Sequence, residues 1–96
     1  MNIEELLAAV REDFLTNLPS REAAIVDAVR VRDLEAAKRC CHQLRGTAGS
    51  FQEFAVGEAA GAIEDAIDAL PSGPELEREL EPLVAALLAA VAEALT

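Results

Sequence analysis

The sequence predicts an all-α fold: an up-and-down antiparallel four-helix bundle with an additional N-terminal helix capping it. Three observations carry the prediction. Ala and Leu dominate, with Glu and Arg beside them, a mix that favours helix over sheet. Aromatic residues are scarce, three Phe with no Trp and no Tyr, so the core must come from small and medium side chains on packed helices. Apolar residues recur at helical spacing in five segments, and no convincing strand appears.

The first segment runs from about Asn2 to Thr16, with Ile3, Leu7, Val10 and Phe14 on one face. Leu18-Pro19-Ser20 is expected to break it. Ser20 is the predicted N-cap of a second helix, about Arg21 to Val31, with Ile25, Ala28 and Val29 inward. Asp33 is the predicted cap of a third, which carries Leu34, Ala37, Cys41, Leu44, Ala48 and Phe51 and ends near Phe51 or Gln52. The fourth starts around Phe54 and ends near Leu70, with the stripe Val56, Ala60, Ile63, Ile67 and Leu70. Pro71-Ser72-Gly73-Pro74 is the clearest turn, and Pro74 suits the first position of the last helix. The phase of Leu76, Leu80, Leu83, Leu87 and Val91 runs through Pro82, so one long helix, kinked or loosened there, is expected rather than two. Short connections make neighbouring helices antiparallel.

Ninety-six residues make a single domain, 1–96, with room for one core. The net charge of −10 repels DNA, RNA and anionic lipid, so no nucleic acid and no membrane is expected as a partner. The apolar run from Leu83 to Ala92 is about half of what spanning a bilayer needs. Glu4 and Glu5 stand where a signal peptide would be basic. Two adjacent cysteines make no disulfide framework. A soluble, cytoplasmic monomer is the expectation.

The stretch "KRCCHQLRGTAGSF", residues 38 to 51, holds both cysteines and the one histidine. A metal site fails on geometry. A helix turns about 100° per residue, so Cys40, Cys41 and His42 point three ways, and no partner at i+3 or i+4 completes a set. No metal is expected. Cys41 is in phase with the core and reads as a small buried hydrophobe, with Cys40 at its edge.

His42 shares its face with Lys38 at i−4, Arg45 at i+3, Gly46 at i+4 and Gly49 at i+7. It is expected to face outward. Each glycine in a helix interior costs about 0.5–1 kcal/mol relative to Ala. Either a helix packs closely there, or something large must approach the imidazole; the shared exposed face favours the second. Residues 36 to 52 contain Lys38, Arg39 and Arg45 and no acid, a positive window in an acidic chain. An exposed histidine in such a window points to an anion on the ring, most simply a phosphoryl group accepted by a nucleophilic nitrogen.

The residues "CHQLRGTAGSF" resemble the signature of histidine-containing phosphotransfer (HPt) domains: a His, Leu two residues on, Lys or Arg at the third, Gly at the fourth, then small residues. His42, Leu44, Arg45, Gly46 and Ala48 match in place. The resemblance implies a helical bundle with an exposed His42 as phosphoacceptor through Nε2. It implies that Arg45 neutralises phosphoryl charge and that Gly46 gives the partner room. It also implies that Glu64, in "AIEDAI", accepts a hydrogen bond from Nδ1–H of His42, which fixes the tautomer. Gly57, Gly61 and Glu64 share one face of their helix, so the neighbouring helix is expected to come near. Lys38 adds positive charge, and Gln43, Gly46 and Gly49 are the expected docking positions. One residue departs from the pattern: many members have Gly ten residues after the His, where this chain has Gln52. That change bears on the turn into the next helix or on docking, not on His42.

Dimerisation domains of sensor kinases also carry a histidine on a helix, but with an acid directly after it and a Thr-Pro following. Here Gln43 follows, and no proline follows Thr47. The chain has no glycine-rich nucleotide site, so it is expected to have no ATP-dependent kinase activity. The implied role is a phosphorelay intermediate. Its expected partners are response-regulator receiver domains and a sensor (hybrid) histidine kinase. It needs no cofactor of its own, and Mg²⁺ is expected on the receiver. The alternative is a helical adaptor that binds protein without carrying phosphate. A helix–helix dimer is a weaker third.

Overall fold

The computed structural model describes all residues from Met1 to Thr96. Four helices, α1 (Ile3–Arg30), α2 (Leu34–Ser50), α3 (Phe54–Ala69) and α4 (Pro74–Ala94), form the chain without a strand. Each packs on the two beside it, α4 closing back on α1, so the four enclose one core.

Where two helices were expected before Val31, there is one. α1 continues through Pro19 for 28 residues. An interior proline removes a hydrogen bond and crowds the preceding turn, at about 3 kcal/mol. Two things oppose the break. Phe14, Leu18, Ile25 and Ala28 form one inward stripe across it, and all four are buried. Full burial of Leu18 and Ile25 on either side stabilises by about 1.5–3 kcal/mol each. Pro19 itself lies on the exposed side. Pro82 repeats the arrangement in α4: it is exposed, while Leu76, Leu80, Leu87 and Val91 are buried. There the expectation of one continuous helix holds.

The separate capping helix does not form. Its residues are the N-terminal part of α1, and of the stripe Ile3, Leu7, Val10 and Phe14 only Phe14 is buried. α1 is longer than α2 or α3, with 17 and 16 residues, so its first turns project past the bundle. The molecule is accordingly 51 Å long and 22 × 19 Å across. Arg11 marks where α1 joins the bundle. Its Nη1 donates to the carbonyl of Phe51 at 2.6 Å, and its guanidinium pairs with Glu53. The rings of Phe14 and Phe51 stack 5.0 Å apart just beyond.

Local chemistry sets the helix ends. The Asn2 side chain accepts the Glu5 amide at 2.8 Å, and Asp33 accepts the Ala36 amide at 3.1 Å, as its capping position predicts. α2 ends in a Schellman turn: Glu53 N–H donates to Ala48 at 2.9 Å and Gln52 N–H to Gly49 at 3.1 Å. Gln52 is left-handed there, with φ 61°. The position without its usual glycine thus keeps a glycine-like backbone. α1 ends the same way through Arg32, φ 62°.

Candidate functional site

His42 sits at mid-α2, on the side away from Ala37, Cys41, Leu44 and Ala48, which fill the core. Its side chain is 74% exposed. Glu64 of α3 is buried and reaches it: Nδ1–H of His42 donates to Oε2 of Glu64 at 2.8 Å. An ionised carboxylate only accepts, so in the neutral ring the proton belongs on Nδ1 and the lone pair of Nε2 faces outward. The other oxygen, Oε1, is buried without a hydrogen-bond partner, and Nη1 of Arg45 stands 3.6 Å from it.

The helix pair follows one antiparallel register. His42 lies opposite Glu64, Lys38 opposite Asp68, Arg45 opposite Gly61 and Gly49 opposite Gly57. Each step along α2 is matched by an equal step back along α3. Of the α3 glycines on this face, only Gly61 would crowd a neighbour if it carried a Cβ. A Cβ at Gly57 would make ordinary van der Waals contact, 3.5 Å from the Arg45 carbonyl oxygen. One at Gly61 would lie 3.0 Å from Nε of Arg45, whose side chain crosses that glycine. Gly46 and Gly49 differ. A Cβ at either meets nothing within 4 Å, so close helix packing does not account for them.

The cations of the window have separate surroundings. Lys38 pairs with Asp68, and that hydrogen bond, with the aspartate charge, raises its pKa above the ordinary lysine value. Arg45 sets Nη1 3.6 Å from both Glu64 and Asp65. Arg39 makes no ion pair. Glu35, Lys38, Arg39, His42, Gln43 and Glu64 line an open hollow of about 480 Å³, with no hydrophobic residue among them. Arg45 instead lines a neighbouring groove of about 420 Å³, with Gly49, Phe54, Gly57, Gly61 and Asp65. Asp65 and Asp68 were not singled out from the sequence, and Arg39 was read there only as one cation of the positive window. The register recovers Asp68, one turn beyond Glu64 as Lys38 is one turn before His42.

The cysteines take no part. Cys41 is fully buried and Cys40 half-buried. Burial, then neighbouring negative charge, pushes the Cys41 thiol up to about 12, so it is no thiolate nucleophile at neutral pH. No three of the His, Cys, Asp and Glu side chains converge as metal ligands.

No curated protein and no solved structure matches the chain. A family model does: that of the Hpt domain matches residues 9–94, nearly the whole chain, leaving out the first projecting turns of α1. With an exposed imidazole oriented by a buried carboxylate on a four-helix scaffold, and a match of that extent, the chain belongs to the Hpt domain family.

Proposed function

We propose that His42 carries the phosphoryl group in a phosphorelay, taking it from the aspartyl phosphate of one receiver domain and passing it to another. Histidine phosphotransfer is what Hpt domains do; the residue roles and partners here are our reading. The observation that carries it is the 2.8 Å bond from Nδ1–H of His42 to buried Glu64. An exposed ring on a helix has many orientations. This one is held, in the tautomer whose free lone pair faces solvent. An adaptor that carries no phosphate has no use for such a device.

The chemistry balances without a base. The lone pair of Nε2 forms the N–P bond as the P–O bond to the receiver's aspartate breaks, and the aspartate leaves as a carboxylate. Nδ1 keeps its proton. The ring gains positive charge, which the Glu64 carboxylate stabilises at hydrogen-bond distance. The step is mainly positioning and electrostatics, with Mg²⁺ held by the receiver and no cofactor on this chain. Arg45 neutralises charge from one turn after His42, and Lys38 adds to the field. Gly46, Gly49 and Gln43 leave an open face on which the receiver docks. A sensor (hybrid) histidine kinase supplies the relay, since the chain itself has no ATP chemistry.

Incubation with a phosphorylated receiver is expected to give an acid-labile, base-stable label on the chain. His42→Gln removes it. Label retained in that variant rules out His42 as the acceptor.

A further inference from the structure

The geometry points to Arg39 as the side chain that grips the phosphoryl group on His42. The inference rests on the reading above and adds a residue that neither the signature nor its spacing picks out. A dianionic phosphoryl group on Nε2 needs a cation that is near and free. Lys38 and Arg39 stand one turn before His42 on α2. Both line the hollow into which His42 opens, whereas Arg45 lines the next groove and lies across Gly61.

Availability separates the candidates. Lys38 is held by Asp68, and Arg45 stands between Glu64 and Asp65. To turn onto a phosphoryl group, either must leave carboxylates behind beside the new negative charge. Arg39, exposed and without an ion pair, gives up nothing. Its planar guanidinium also matches two phosphoryl oxygens at once, which an ammonium does not. Glu35 lies on the rim one turn before Arg39 and would repel the phosphoryl group. It makes no ion pair with Arg39, so it does not occupy the guanidinium. Arg45 then adds fixed positive charge to the phosphoryl field from its place beside Glu64 and Asp65, and Arg39 is the movable contact.

The test is the equilibrium partition of phosphoryl between this chain and a receiver domain charged with acetyl phosphate. Docking speeds both directions equally and leaves that equilibrium untouched, so the partition reads the grip alone. Arg39→Gln is expected to shift it toward the receiver by about fivefold, the upper range for an exposed ion pair, and more than Arg45→Gln does. Arg39→Lys is expected to recover part of the loss. If Arg39→Gln alters only the rate, or if Arg45→Gln shifts the partition further, the proposal is overturned while His42 keeps its role. If His42→Gln still takes label, the underlying reading falls instead.

Discussion

His42 is three-quarters in water and yet has one orientation, because the group that holds it is buried. Glu64 has no freedom to follow solvent: α3 packs against α2 at Gly57 and Gly61, and the carboxylate is enclosed between them. In an unrestrained neutral histidine the proton prefers Nε2, the atom that the proposed transfer needs free. The Glu64 bond reverses that preference. Two-dimensional ¹⁵N–¹H spectra of the imidazole are therefore expected to report the Nδ1–H tautomer in the native chain. Glu64→Ala shifts the ring to mainly Nε2–H and slows phosphoryl uptake by about 10-fold or more, in the range lost when a positioning contact goes. A native ring found as Nε2–H removes Glu64 from the mechanism. His42, Arg45 and Gly46 were legible as a motif within one turn of helix. That Lys38 and Arg45 each face a carboxylate across the groove was not, since those partners lie on another helix.

Two elements depart from local preference, and both are decided by what they pack against. α1 runs through Pro19 because Leu18 and Ile25 bury on the same face at either side; read locally, Leu18-Pro19-Ser20 is a break. The α2–α3 turn keeps a left-handed residue although Gln52 carries a Cβ that disfavours it. The two Schellman hydrogen bonds, Arg11 on the Phe51 carbonyl and the Phe14–Phe51 stack hold the turn in place. The left-handed conformation costs a non-glycine residue about 1 kcal/mol, part of which glycine loses again through its freer unfolded chain. Gln52→Gly is therefore expected to stabilise the fold by about 0.5 kcal/mol, raising Tm by about 3 °C in a thermal melt. Destabilisation would mean that the Gln52 side chain itself supports the turn. Phosphoryl transfer is expected to be unaffected, since the turn lies about 15 Å along α2 from His42.

At the scale of the whole molecule, 18 acidic residues against eight basic ones load the fold with like charge. Its ion pairs other than those of Glu64 and Glu53 join well-exposed side chains and contribute little each. Self-repulsion therefore outweighs them, and screening favours the folded state. Raising sodium chloride from about 0.02 M to about 0.5 M is expected to raise Tm by a few degrees, and a fall in Tm would show that the ion pairs dominate. The all-helical class, the cap at Asp33, the α4 helix through Pro82 and the core stripe of α2 were all determined by the sequence alone. Each depends on periodicity or on a side chain within one turn of the backbone it serves, and such short-range terms are readable along the chain. Tertiary structure decided the rest: the fusion of the first two segments into α1, the projection of its first turns, the burial of Glu64 and the division of cations into held and free. These depend on which surfaces meet across the bundle, where burial outweighs the local cost of a proline and where a side chain of one helix meets charges on the next.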